Sequence, residues 1–132
     1  MNYRTLNDLN TQLFKNLYKI PKNIDLIIGI PRSGLLLANL IALYLNKQVS
    51  TPELFSNNVI ISHGTSRPID SNEIKTVLVV DDSCNSGNSI ETAKKNFCNK
   101  DINYIYLAAY TTNRGKQFLD IYFEVIEWPR IF

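Results

Sequence analysis

Cysteine and histidine are scarce. The chain of 132 residues has two cysteines, Cys84 and Cys98, and one histidine, His63. They form no Cys-x-x-Cys spacing and no Cys/His group, so a structural zinc site lacks its ligands. Two isolated thiols fit a reducing cytosol better than a disulfide framework. Charge of one sign is also lacking: 14 Lys and Arg against 12 Asp and Glu leave +2. That is too little to argue for nucleic acid, and no nucleic-acid partner is expected. Long apolar runs are missing too. Met1–Asn10 holds no stretch of signal-peptide length. The longest run, Leu35–Leu45, is interrupted by Asn39 and falls short of the about 20 residues a bilayer span needs. These absences lead to the expectation of a soluble, cytoplasmic protein with no membrane partner. Its length suits one domain over residues 1–132, and 45% hydrophobic residues suffice for one closed core.

The apolar pattern places the elements. Leu6, Leu9, Leu13, Phe14 and Leu17 give Thr5–Ile20 helical spacing, and Pro21 ends it. Asp25–Ile30 is a short apolar run between Pro21 and Pro31, which predicts a buried parallel strand. Pro31–Gly34 reads as a turn. Leu35–Asn46 predicts a heavily buried helix. Lys47–Lys75 has so little regular pattern that only Val59–Ser62 reads as a strand, and a segment of that kind is usually functional or mobile. Thr76–Val80 predicts a second buried strand, Ser83–Asn88 a polar loop, and Ser89–Asn99 a helix. Asn103–Tyr110 and Ile121–Val125 predict further strands. This alternation means an α/β fold with a mostly parallel central sheet flanked by helices and right-handed crossovers.

In open sheets of this kind, ligands bind beyond the carboxyl ends of the strands. Two polar loops stand there: Pro31-Arg32-Ser33-Gly34, and the segment from Asp81 to Ser89. In the second, four apolar residues, Val77–Val80, deliver Asp81 and Asp82 to a strand end. Asn85, Ser86, Gly87, Asn88 and Ser89 then open a helix. A helix start offers backbone N–H groups and partial positive charge. Gly87 lets the backbone approach a ligand, and the hydroxyls and amides add donors, so the segment suits a phosphate. The two carboxylates beside it suit sugar hydroxyls, or Mg²⁺ held through water. A phosphate site next to a diol site suits a sugar phosphate.

Val77–Ser89 resembles the phosphoribosyl pyrophosphate (PRPP) signature of type I phosphoribosyltransferases: four apolar residues, two acids, a short variable stretch, then Thr/Ser-Gly-x-Thr/Ser. The resemblance implies that Asp81 and Asp82 contact the ribose hydroxyls and that Asn85–Ser89 bind the 5′-phosphate. Ile28–Gly34 resembles the family's pyrophosphate loop, which commonly carries a cis non-proline peptide. Pro31, Arg32, Ser33 and Gly34 would then hold the pyrophosphate, with Arg32 as a charge-assisted contact. Arg32, Asp81 and Asp82 are the implied catalytic set, and Mg²⁺ the implied cofactor, on Asp81 and Asp82. A flap over about residues 50–73 would exclude water from the reaction, with His63, Ser66 and Arg67 reaching in. A small C-terminal hood with Ile126, Glu127 and Trp128, together with Tyr110, would receive a nucleobase-like acceptor, purine ahead of pyrimidine. A homodimer is expected.

Three departures bear on activity. Leu107–Thr111 offers no lysine where purine members carry one, and Arg114 and Lys116 follow only later. Asn85 stands where several purine enzymes have an aspartate base, and an amide takes no proton at neutral pH. Cys84 replaces a branched aliphatic residue and reads as a small buried hydrophobe. Three readings stay open: a Mg²⁺-dependent phosphoribosyltransferase, a non-catalytic regulator that senses PRPP or a nucleotide, and a partner subunit with a vestigial site.

Overall fold

Runs of Val, Ile and Leu shed their apolar surface most completely when both faces of a strand are covered, and the sheet is built that way. In the computed structural model, residues 2–61, 71–127 and 129–131 are described. Five strands form one sheet: β2 (Leu26–Gly29), β3 (Gln48–Ser50), β4 (Thr76–Cys84), β5 (Asn103–Thr111) and β6 (Ile121–Val125). Their order is β3-β2-β4-β5-β6, and every neighbouring pair is parallel. All carboxyl ends therefore lie along one edge. Gly29 stands opposite Val80, Asp81 opposite Ala108, and Thr111 opposite Val125.

The two faces bury different helices. Helices α1 (Leu6–Asn16) and α2 (Ser33–Leu45) lay Leu9, Leu13, Leu37 and Ile41 over Ile27, Leu78 and Val80. Leu26, Ile28, Val77 and Val79 point the other way, into a cluster with Ile74 and Ile102 against which Phe55 and Phe97 pack. Phe55 belongs to the short helix α3 (Pro52–Ser56). Helix α4 (Asn88–Lys94) adds Ile90, which packs with Cys84 and Ala108. Each fully buried aliphatic side chain is worth about 1.5–3 kcal/mol. Strands β1 (Asn2–Arg4) and β7 (Pro129–Ile131) form a separate parallel pair. Arg4 ties that pair to β6, donating from Nη2 to Glu124 Oε1 at 2.6 Å and from Nε to Oε2 at 3.2 Å. Among the described residues no helix is long and apolar enough to cross a membrane.

Four local expectations need correction. The segment after Asn46 is not featureless: it opens with β3 and α3. Hydropathy misses β3 because Gln48 and Ser50 are polar yet buried, and Ser50 Oγ donates to the Val59 carbonyl at 2.6 Å. Val59–Ile61 is not a strand; it bonds back to Leu54 and Val49 instead, and Ser62 lies outside the described residues. Strand β4 runs on through Asp81, Asp82, Ser83 and Cys84, so the polar loop shrinks to Asn85–Gly87. Helix α4 stops at Lys94, where the backbone bonds tighten to Lys95→Thr92, Asn96→Ala93 and Phe97→Lys94 and Phe97 stacks on Tyr104 at 4.7 Å.

The cysteines are both free, Cys84 buried and Cys98 exposed. Burial pushes the Cys84 thiol up from its usual range. An aromatic disulfide reagent is therefore expected to titrate one thiol in the native protein and both in denaturant. Rapid labelling of both in the native protein would contradict that packing.

Candidate functional site

Adjacent parallel strands carry their following loops to the same edge, and β2 and β4 are adjacent. The Ile30 N–H donates to the Val80 carbonyl at 2.9 Å, which extends the pairing to the start of the first loop. The Pro31–Arg32 peptide that follows is cis. Arg32 and Pro31 are exposed, Ser33 is half-buried and Gly34 is buried. Gly34 lies directly on the second segment. A Cβ there would stand 2.8 Å from the Val80 carbonyl oxygen, 3.0 Å from Asp81 Cα and 3.1 Å from Asp81 Oδ1. Only a residue with no side chain permits the approach. The two loops singled out in the sequence are thus in contact.

Asp81 is buried and Asp82 half-buried. Asp81 Oδ1 accepts the Asp82 N–H at 2.8 Å. Burial, with the Asp82 carboxylate beside it, raises the Asp81 pKa to about 8. In the free protein at neutral pH Asp81 is mostly protonated. Asn85, Ser86, Asn88 and Ser89 are exposed, and Gly87 is buried. With Asp81, Ser83 and Cys84, these residues line a cavity of about 170 Å³. Gly87 has φ of +82°, a left-handed conformation at the N-cap of α4, and the Phe118 ring packs where a Cβ would be.

The loop is held from the β5 side. The Thr112 N–H and the Thr111 hydroxyl both donate to the Cys84 carbonyl, at 3.1 and 3.0 Å. The Thr112 hydroxyl donates to the Asn85 carbonyl at 3.4 Å. Sequence reasoning missed Thr111, Thr112 and Phe118. Their signal was faint: paired threonines at a strand end bury their hydroxyls only because a neighbouring strand presents carbonyls to them. It also missed a cavity of about 400 Å³ between α3 and α4, which Pro31 borders on one side and Asn88 and Ser89 on the other. Asn88, Thr92 and Asn96 face it. Small polar residues four apart are its only trace in the sequence.

Tyr110 must be withdrawn as an acceptor contact. Its side chain is 0% exposed and belongs to the core under α1. Alternation along β5 turns it onto the sheet face that α1 covers, and burial pushes its hydroxyl up to about 12. Ile126 is half-buried against that same core. Glu127 is exposed, and its Oε1 accepts from the Asn113 N–H and side-chain amide, each at 3.3 Å. Both follow β6, at the carboxyl edge. Arg114 is exposed, while Lys116 Nζ lies 6.0 Å from the Tyr122 ring centre. His63, Ser66, Arg67 and Trp128 lie outside the described residues.

Mg²⁺ takes oxygen ligands, keeps several waters and is commonly bound through one or two carboxylates plus substrate phosphates. Among the described residues no three Asp, Glu, His or Cys side chains gather into a metal cage. Two adjacent carboxyls, one of them neutral in the free protein, fit a cation that arrives with a phosphorylated ligand rather than a resident one.

Comparison with known proteins agrees with this geometry. The family model described as "phosphoribosyl transferase domain" matches residues 2–131. Among solved structures, the Helicobacter pylori xanthine-guanine-hypoxanthine phosphoribosyltransferase aligns at a TM-score of 0.73 and 17% identity, over 99% of this chain and 91% of that one. A purine phosphoribosyltransferase from Pyrococcus horikoshii aligns at 0.70 and 18%, over 98% and 91%. An orotate phosphoribosyltransferase from Aeropyrum pernix aligns at 0.57 and 18%, over 89% and 68%. No curated protein sequence matches the chain.

Proposed function

The chain belongs to the phosphoribosyltransferase family, enzymes of the glycosyltransferase type, and from that premise we propose that it transfers the 5-phosphoribosyl group of PRPP to a ring nitrogen of a base and releases pyrophosphate. One observation carries the reading: the packing of Gly34 on Asp81. It sets a loop suited to pyrophosphate beside two acids suited to ribose, and those acids adjoin a cavity of about 170 Å³ suited to one phosphate.

In this reading the exposed hydroxyls, amides and N–H groups of Asn85–Ser89 fix the 5′-phosphate. Asp81 and Asp82 accept hydrogen bonds from the ribose hydroxyls and would hold Mg²⁺ through water. Bound there, Mg²⁺ would neutralise charge on the pyrophosphate. Arg32 and the N–H groups near Ser33 take up the charge that grows on the leaving pyrophosphate. The bond from ribose C1 to the pyrophosphate oxygen breaks, and C1 binds the acceptor nitrogen from the opposite face. The displaced ring proton passes to solvent, because Asn85 cannot take it. Rate acceleration then rests on orientation and on the stabilised leaving group.

The acceptor is taken as a nucleobase, purine ahead of pyrimidine, since the two purine enzymes align over more of both chains than the orotate enzyme. Ile126, Glu127 and Trp128 would meet it, and residues about 50–73, with His63, Ser66 and Arg67, would cover it. The same reading takes the whole chain as one domain and a homodimer. It places the protein in the cytoplasm, where both free thiols stay reduced.

Asn85 favours a second reading, a sensor that binds PRPP or a nucleotide without turnover. Titration calorimetry with Mg²⁺ and PRPP is expected to show one site per chain. Pyrophosphate release across a panel of purine and pyrimidine bases is then expected with at least one base. Binding without release for any base would leave the sensor; no binding would remove both.

A further inference from the structure

We propose that Thr112 is a positioning residue for the 5′-phosphate, acting from behind the Asn85–Gly87 loop. The proposal rests on the reading above that this loop binds the phosphate of PRPP. Thr112 follows the last residue of β5 and is 3% exposed, so its side chain works inside the fold. Its N–H donates to the Cys84 carbonyl at 3.1 Å, and its hydroxyl donates to the Asn85 carbonyl at 3.4 Å. One residue thus grips two successive carbonyls where the loop leaves β4. A hydroxyl carries a single proton. Because the Gly115 N–H donates to the Thr112 hydroxyl oxygen at 3.0 Å, that proton is left for Asn85. Thr111 has no such assignment: its one proton serves either the Cys84 or the Thr112 carbonyl, each at 3.0 Å.

What the grip does follows from peptide geometry. A trans peptide points its C=O and its N–H in opposite directions. With the Cys84 and Asn85 carbonyls drawn toward β5, the Asn85 and Ser86 N–H groups turn away from it. Both residues line the cavity of about 170 Å³. Among the described residues no Lys or Arg lines that cavity, so neutral donors must carry the phosphate, and a dipole attracts an anion only when it is aimed at it. The 3.4 Å hydroxyl bond is long for an O–H donor. It leaves the Asn85–Ser86 peptide room to tip its N–H toward an anion while its carbonyl closes on Thr112. A carbonyl that accepts a bond also polarises the N–H of its own peptide. Phe118 completes the support. Its ring fills the space beside Gly87 and packs on Cys84, Ile90 and Ala108. The loop is therefore backed at Asn85 by Thr112 and at Gly87 by Phe118.

Titration calorimetry of the whole chain tests this with three probes: PRPP with Mg²⁺, ribose 5-phosphate, and pyrophosphate with Mg²⁺. Thr112→Val keeps the branched shape and removes the hydroxyl. It is expected to weaken PRPP and ribose 5-phosphate about tenfold and to leave pyrophosphate within about twofold. Pyrophosphate is spared because the Pro31–Gly34 loop packs on Val80 and Asp81 instead. Thr112→Ser restores the hydroxyl and should bind all three probes as the wild type does. Thermal melts of the same samples check that each variant is folded at the assay temperature; should Thr112→Val not fold, Thr112→Ala makes the same comparison. A role confined to stability would weaken all three ligands alike, or none. Thr112→Val binding PRPP as tightly as the wild type, or Thr112→Ser binding as weakly as Thr112→Val, would overturn the proposal and leave the phosphate reading standing. A wild type that binds neither PRPP nor ribose 5-phosphate would remove that reading, and this proposal with it.

Discussion

Asp81→Asn combined with Asp82→Asn is expected to abolish PRPP binding while leaving the fold intact and less sensitive to pH. Each position loses a bond to a sugar hydroxyl, worth about 1.5–3 kcal/mol where it is charge-assisted, as it becomes at Asp81 once the ligand and its cation displace the proton. The pair together should cost two to four orders of magnitude in affinity. Stability should move the other way. Asp81 is buried among the ends of β2 and β4, and its pKa is raised to about 8. An unfolded chain titrates Asp near 3.9. Between about pH 4 and pH 8 the folded state therefore holds a proton that the unfolded state has released. That contribution is complete below pH 4 and is lost as pH rises through 8. The slope reaches about 1.4 kcal/mol per pH unit for one proton.

An amide at position 81 keeps an oxygen for the Asp82 N–H and carries no titratable proton. The difference in thermal stability between variant and wild type should thus grow in the variant's favour from pH 5 to pH 9. Parallel pH profiles would show that Asp81 ionises normally. Retained PRPP binding by the double variant would remove the ribose role from these acids.

Gly34→Ala is expected to weaken PRPP binding at least tenfold, through the backbone rather than through any lost contact. Gly34 sits in the first turn of α2, where alanine is intrinsically favoured over glycine by about 1 kcal/mol. Sterics oppose that preference. The new methyl would lie 2.8 Å from the Val80 carbonyl and 3.0 Å from Asp81 Cα. Those atoms belong to the sheet and cannot rotate aside. Overpacking of this kind costs about 1–3 kcal/mol, so the net effect is destabilising. The relief available is to lift the Pro31–Gly34 loop off β4, which separates the pyrophosphate contacts from the ribose contacts. Calorimetry and a thermal melt on the same sample check both halves. Binding within twofold of wild type would show that the closeness of the two loops is not needed for PRPP.

The strands that place the site were legible because their burial is encoded locally. Asp25–Ile30 and Thr76–Val80 are apolar on both faces, and only a covered parallel sheet accommodates that. The acids and the Ser-Gly-Asn-Ser turn were legible for the same reason: each lies within a few residues of its strand. What was misread depends on partners far along the chain. Gln48 and Ser50 look like loop residues until the sheet edge buries them. Tyr110 looks like a strand-end contact until α1 covers it.

By itself the sequence determined the alternation of strands and helices, the two polar loops at strand ends, and the residue types able to hold a phosphate, a diol and a pyrophosphate. Local periodicity and composition are enough for that. Tertiary structure alone decided that the loops touch, through Gly34 against Asp81, and that Asp81 is buried deeply enough to keep its proton at neutral pH. It also decided that Thr112 holds the carbonyls of Cys84 and Asn85. Contact, burial and exposure depend on which distant segments share a volume, and no window of neighbouring residues contains that.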